Sequence, residues 1–324
     1  MVVWTKNRLF DFNLLSSKEF DEPIICIGNL EAGGTGKSPL VHFTTKTLLK
    51  NDLNVAVLSR GYGRTSKGFW LVEVSSIADE VGDEPLQAKL RFPQAIVAVC
   101  EDRVEGVKRI LESSPKVDVV VMDDGFQHRW IKPSLNILTT PASLPFYQNS
   151  LLPVGSLREA KYEAKRADAL VFTGGKNEAE NNFKGQTFSS NAVAGALIQF
   201  AGRKVETDAV KKVVLLSGIA NSKRFENSAA VHYQTLHHLN LNDHHRYEKK
   251  DLQNLMEIYN SFGAAADAVI TTEKDAARLM NSPFLKELKE TPVFYLPVDV
   301  EFIGSDKKEF QKMILAHGKH ARKN

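Results

Sequence analysis

The chain has 324 residues, 43% hydrophobic and 25% charged, which is enough apolar side chain for one large domain or two smaller ones and rules out a disordered chain. Its 42 basic and 39 acidic side chains leave a formal charge of +3, too small an imbalance to argue for a nucleic-acid binder that works by neutralising phosphates. No apolar run approaches the roughly 18 residues of a spanning helix and no cleavable signal opens the chain, so a cytoplasmic protein is expected.

Val- and Ile-rich runs at 23–28, 54–58, 95–100, 117–122, 135–138 and 169–172 read as buried strands. Helix-length segments at 38–50, 85–91 and 103–113 lie between them, the alternation that builds a parallel sheet covered on both faces. Cys26 and Cys100 fall inside two of these strands and read as packed thiols of a reducing compartment. Polar, Asn-rich sequence at 174–191 interrupts the pattern, and 192–199 reads as a connecting strand. Strands at 213–216, 231–236, 268–271 and 293–296, with helices at 250–262 and 307–316, then predict a smaller α/β unit. The expected organisation is an α/β domain over 1–185, linker strands over 186–204 and the smaller domain over 205–324. The basic tail 317–324 reads as a frayed terminus or a weak lipid-headgroup contact.

The strongest chemical signal is Gly33-Gly34-Thr35-Gly36-Lys37-Ser38, directly after the first strand and before a helix. Glycines let successive backbone N–H groups turn around an anion, and the helix N-terminus adds partial positive charge. Lys37 can bridge β and γ phosphates, and the Ser38 hydroxyl can hold magnesium. Glu31 stands where the strict pattern has glycine, so this is a variant loop; the alternative is a Gly-rich turn that binds no nucleotide. Asp123-Asp124 closes the 117–122 strand, where a P-loop enzyme needs a carboxylate for its magnesium shell.

Four further groups carry two readings each. Asp83-Glu84-Pro85 suits a helix start by capping and dipole, and an Asp there can also accept a proton from an attacking hydroxyl. Asp243-His244-His245 reads as a solvated loop, an oriented proton-transfer pair, or, less well, a zinc site, because adjacent histidines on an extended chain point apart. Thr271-Thr272-Glu273-Lys274-Asp275 has capping-box spacing and reads as structural. Arg60, Arg64, Arg103 and Arg158 can clamp phosphate oxygens or lie solvated.

In this order the motifs resemble the tetraacyldisaccharide 4'-kinases, the lipid A 4'-kinases. The matching segments run from Gly28-Asn29-Leu30 and the phosphate loop through Ser59-Arg60-Gly61-Tyr62-Gly63-Arg64, Gly82-Asp83-Glu84-Pro85 and Asp102-Arg103. They continue with Asp123-Asp124-Gly125-Phe126-Gln127-His128, Leu152-Pro153, Gly155-Ser156-Leu157-Arg158-Glu159, Asp243-His244-His245 and Thr271-Thr272-Glu273-Lys274-Asp275. The resemblance covers about 20–300.

It implies a P-loop kinase domain, a smaller C-terminal domain and a cleft between them. The implied reaction moves the ATP γ-phosphate to the 4'-hydroxyl of tetraacyldisaccharide 1-phosphate, with Mg2+, by a monomer on the cytoplasmic face of the inner membrane. Carried over residue by residue, Gly33, Gly34, Thr35, Gly36, Lys37 and Ser38 hold ATP. Asp83 is the base paired with His244, and Arg103 and Arg158 stabilise phosphate charge. Ser38, Glu84, Asp123, Asp124 and Glu159 are candidates for the magnesium shell and its surroundings.

Ser38 stands where many members have Thr. Residues 2–15 resemble the remaining end of a longer apolar segment; Val3, Trp4, Phe10, Leu14 and Leu15 share a face of a helical wheel into which Asp11 intrudes. Two other classes compete: a nucleotide-switch ATPase, and a non-catalytic membrane-surface binder.

Overall fold

The computed structural model describes residues 2–176 and 183–319. Part of the polar interruption (177–182), most of the basic tail (320–324) and the side chain of Val3 lie outside the described structure.

The chain begins with α1 (Val2–Asp11), β1 (Ile24–Asn29), α2 (Lys37–Leu49), β2 (Val55–Ser59), β3 (Trp70–Leu71), α3 (Ala78–Val81), α4 (Asp83–Arg91) and β4 (Ile96–Val99). It continues through α5 (Arg103–Ser113), β5 (Val119–Asp123), β6 (Leu135–Pro141), β7 (Ala169–Thr173), β8 (Gln186–Ala194), β9 (Ile198–Ala201), β10 (Lys212–Ser217) and α6 (Ser222–Ala230). The last elements are β11 (Gln234–Asn240), α7 (Lys249–Ser261), β12 (Ala268–Thr272), α8 (Glu273–Met280), β13 (Val293–Leu296), β14 (Val298–Phe302) and α9 (Asp306–Gly318).

The fold is the expected α/β class, with one large parallel-rich sheet and a smaller one. The large sheet runs β14-β8-β7-β6-β1-β5-β2-β4-β3, parallel from β8 to β4 with an antiparallel strand at each edge. Its strands are apolar on both faces because both are covered. In β1, Ile25 and Ile27 pack with α2 and α9, while Ile24 and Cys26 pack on the opposite face with Val107 and Ile110 of α5. The smaller sheet, β11-β10-β12-β13-β9, is parallel except for β9.

The sheets do not divide where the sequence suggested. The run at 192–199 is two strands, broken at Gly195, whose N–H donates to the Pro297 carbonyl at 2.8 Å. Residues 186–204 thus supply a strand to each sheet. On the return crossing the chain leaves the small sheet after β13, and β14 and α9, expected within the smaller domain, join the large one. Phe302, Phe310 and Ile314 are buried there against Leu48 and Phe188, and that burial holds the C-terminal segment in place.

The apolar face expected on the first helix also divides. Phe10 turns inward, 4.9 Å from the Trp130 ring, and Asp11 anchors the helix end through Arg129 at 2.8 Å. Trp4 points outward, and Leu14 and Leu15 lie past the helix end, with Leu14 exposed.

Candidate active site

The loop between β1 and α2 is fastened from below by three strand ends. Asn29 Nδ2 donates to Thr35 Oγ1 at 2.8 Å, Thr35 Oγ1 lies 2.9 Å from Thr139 Oγ1 on β6, and Thr173 Oγ1 on β7 donates to the Thr35 carbonyl at 3.0 Å. The Thr35 side chain faces inward, so its part in the loop falls to its backbone. Gly33 and Gly34 are exposed, and Gly34 borders open space. Gly36 has φ +79°, and a Cβ there would stand 2.9 Å from Thr173 Cγ2, so both backbone and space demand glycine. It immediately precedes α2, whose first N–H groups, including those of Lys37 and Ser38, lack helical partners and face the loop end.

Glu31, the departure from the strict pattern, is accommodated as a buried side chain. Thr140 Oγ1 donates to its Oε1 at 2.7 Å, and burial raises its pKa. Its backbone bridges to Leu157, and Arg158 N donates to the Leu30 carbonyl at 2.8 Å. Residues 30–32 are thus held by sheet-like contacts with residues 156–158.

Asp123 ends β5 beside β1, paired in register with Ile27, and delivers the carboxylates to the loop as the sequence suggested. Asp124 has φ +49°, the left-handed region that Asp enters more readily than most residues. Its Oδ1 lies 3.6 Å from Lys37 Nζ and 3.1 Å from Arg158 Nη2. Burial alone would raise its pKa, but Lys37 and Arg158 outweigh that and hold it low. Asp123 goes the other way: burial, then the nearby charges of Glu84 and Asp124, push it up to about 7. Its Oδ1 is buried with no hydrogen-bond partner among the described residues. Arg103 opens α5 almost fully buried, donates to the Glu101 carbonyl at 2.7 Å, and is close enough for its charge to act on both aspartates.

Gly82, at φ 92° and ψ 151°, occupies backbone space that glycine alone enters freely, and it places Asp83 as the first residue of α4. His244 Nδ1 stands 3.1 Å from Asp83 Oδ2, so two motifs 161 residues apart meet across the two sheets. His244 itself has φ +55°. The neighbouring histidine parts from it: His245 Nε2 is 2.8 Å from Asp251 Oδ2 at the start of α7, so the two rings are held on different partners.

Two expected roles are corrected. Glu159 is 3% exposed and accepts from Asn7 Nδ2 at 3.0 Å, Arg166 Nη2 at 2.6 Å and Gln127 Nε2 at 3.4 Å. It ties α1 to the body, and these donors occupy both oxygens that a metal would need. Arg64 is consumed by Glu101 at 2.6 Å and the Gly68 carbonyl, because its loop folds back on itself. Glu84, partly exposed, pairs with Lys274 at 3.5 Å.

The sequence reading missed Arg278 on α8. Its Nε and Nη2 donate to Asp83 Oδ1 and Oδ2 at 3.1 and 2.6 Å. The Asp83 carboxyl, which burial would raise, is held below its ordinary range mainly by this guanidinium. The available signal was the Asp275 to Arg278 spacing of i, i+3 just past the Thr272 cap.

Among the described residues no group of three or more His, Cys, Asp or Glu is arranged to hold a metal. A P-loop magnesium needs fewer protein ligands, since phosphates and water complete its shell. The unpartnered, buried Asp123 Oδ1 beside Asp124 fits such a cation.

A phosphate loop on a buried parallel strand, a carboxylate pair on the next strand and an Asp–His pair facing them across a second sheet define a P-loop phosphotransferase. The chain belongs to the tetraacyldisaccharide-1-phosphate 4'-kinase family, whose description it matches over residues 1–319. It is 35% identical over 332 residues to the tetraacyldisaccharide 4'-kinase of Parabacteroides distasonis, covering 96% of this chain and 90% of that one. Identity to the Bacteroides thetaiotaomicron enzyme of the same name is 33%, covering 100% and 91%. The crystal structure of LpxK from Aquifex aeolicus in complex with ATP superposes with a TM-score of 0.78 at 29% identity, covering 98% of this chain and 95% of that one.

Proposed function

We propose that the chain is a lipid kinase that transfers the γ-phosphate of ATP to the 4'-hydroxyl of tetraacyldisaccharide 1-phosphate. The observation that carries the reading is the Asp83–His244 pair at 3.1 Å, assembled from both sheets, with the next residue, Glu84, close enough for its charge to act on Asp123. A switch ATPase needs the loop and the aspartates but has no use for an Asp–His pair built to receive a hydroxyl.

The loop backbone at Gly33–Gly36 and the N-terminus of α2 bind the phosphate chain, and Lys37 and Arg158 meet the transferring charge. Arg103 adds field from behind. Ser38, Asp123 and Asp124, with Glu84 nearby, would hold Mg2+, which when bound neutralises phosphate charge. The acceptor oxygen forms its bond to γ-phosphorus as the bond from γ-phosphorus to the β–γ bridging oxygen breaks and ADP leaves. The hydroxyl proton passes to Asp83, paired with His244. In a loose transition state little proton transfer is needed early, so a carboxylate of lowered pKa can still orient the hydroxyl and take the proton late.

The enzyme acts as a monomer on the cytoplasmic face of the inner membrane. Trp4, Phe12 and Leu14 at α1, with Leu151, Leu152 and Val154, expose apolar side chains that suit an acyl-chain surface. No helix of the described residues is long and apolar enough to cross a membrane.

The deciding experiment follows label from γ-labelled ATP with Mg2+, with and without detergent-dispersed tetraacyldisaccharide 1-phosphate. Label should enter the lipid and fall by about 100-fold or more in Asp83→Ala, with ATP affinity retained. Phosphate release that ignores the lipid would overturn the kinase reading in favour of an ATPase.

A further inference from the structure

The Thr272-Glu273-Lys274-Asp275 turn, read from the sequence as a helix cap, does cap α8: Thr272 Oγ1 accepts from Asp275 N at 3.1 Å. Its side chains also do something a cap does not require. Asp275, fully buried, accepts from Thr272 Oγ1 at 2.6 Å and from Gly218 N at 3.0 Å, and its other oxygen takes Arg278 Nη1 at 2.8 Å. Arg278 Nη1 also donates to the Gly218 carbonyl at 2.8 Å. One nitrogen of the guanidinium is therefore fixed to the small sheet, and the Nε/Nη2 edge is aimed across the seam at both oxygens of Asp83.

We infer that Arg278, anchored by Asp275 and Gly218, is a positioning residue for phosphoryl transfer: its fork fixes the plane of the Asp83 carboxylate. The inference rests on the reading of Asp83 as the residue that receives the acceptor hydroxyl. Asp83 Oδ2 is shared by Arg278 Nη2 and His244 Nδ1, whereas Oδ1 meets Arg278 Nε at 3.1 Å. The fork holds both oxygens and the imidazole adds a second partner to Oδ2, so Oδ1, with a single donor, keeps the more open lone pair for an acceptor hydroxyl. Lys274, from the same helix, adds charge near Asp83 but is directed to Glu84, so it supplies field and not orientation. Arg278 Nη2 also stands 3.4 Å from His244 Nδ1, so the guanidinium lies against both members of the pair while bonding, of the two, only the carboxylate. A lysine would keep the charge and lose the fork.

The test is a kinetic double-mutant cycle with Arg278→Lys, which preserves the buried cation and so the fold, read beside Arg278→Ala. Arg278→Lys should lower kcat about tenfold and Arg278→Ala about 100-fold, with the KM for ATP within about twofold of the parent. In an Asp83→Asn background Arg278→Lys should cost almost nothing more, because the oriented carboxylate is already gone. Wild-type kcat in Arg278→Lys, or an equal loss in both backgrounds, would overturn the inference while leaving the Asp83 reading intact. Wild-type turnover in Asp83→Asn alone would instead remove the Asp83 reading, and this inference with it. A fall confined to ATP affinity would mark Arg278 as a nucleotide or structural contact and also overturn the inference.

Discussion

Lys37 is the side chain most exposed to a single test, because it lies between the loop and Asp124 and has no other partner of opposite charge within 4 Å among the described residues. A charge-assisted contact to phosphate contributes about 1.5–3 kcal/mol, so Lys37→Ala should raise the Kd for ATP about 10- to 100-fold, measurable by nucleotide titration. His42 offers a test away from the chemistry. Burial, with Arg91 beside it, pushes this α2 histidine down to about 3. The unfolded chain binds that proton near pH 6.5 and the folded chain does not. The stability is therefore complete above about pH 6.5 and is lost as pH falls toward 3. The slope from one such group is at most about 1.4 kcal/mol per pH unit. Urea unfolding at pH 7 and pH 5 should show the decline, and His42→Leu should flatten part of it.

At the level of elements, the loop between β1 and α2 is held in its shape by Asn29 and by two strand ends, at Thr139 and Thr173, more than 100 residues further along the chain. Gly36→Ala places a Cβ at φ +79° and against Thr173, and should cost about 1–2 kcal/mol from the backbone alone. A lower urea midpoint together with weakened ATP binding would confirm that the strain lies in the loop. Strands such as β1, β2 and β5 were legible because a doubly covered parallel strand is a continuous apolar run, and α5 begins where Asp102 caps it. The crossing at 194–198 was not legible. One apolar run spans it, and the break at Gly195 answers to Pro297, a contact no local pattern encodes.

For the molecule as a whole, the seam between the sheets is charged. Arg91, from the C-terminal turn of α4, pairs with Glu273 of α8 at 3.1 Å and with Asp299 of β14, and donates to the Val298 carbonyl at 3.1 Å. Burial raises the Glu273 pKa and Arg91 opposes the shift, so the carboxylate depends on its partner. Arg91→Met should destabilise the fold by about 3–5 kcal/mol, because it strands a buried carboxylate. Arg91→Met with Glu273→Gln together should recover part of that loss. Calorimetry on the two variants separates a pair that stabilises from one whose removal merely exposes the cost of desolvation.

The local patterns of the chain determined the α/β class, the phosphate loop, the aspartate pair at the end of β5 and the candidacy of Asp83 and His244. Each of these follows from periodicity, glycine conformation or the chemistry of neighbouring residues. The pairing of Asp83 with His244, expected from the family resemblance and not from local pattern, is made by the tertiary structure, which alone decided that Glu159 is spent on Asn7 and Arg166 and that Arg278 grips Asp83. It alone also decided that β14 and α9 return to the large sheet. Most of these depend on contacts between residues more than 100 apart in the chain, where apolar burial brings polar groups together and the need to satisfy each buried charge selects its partner.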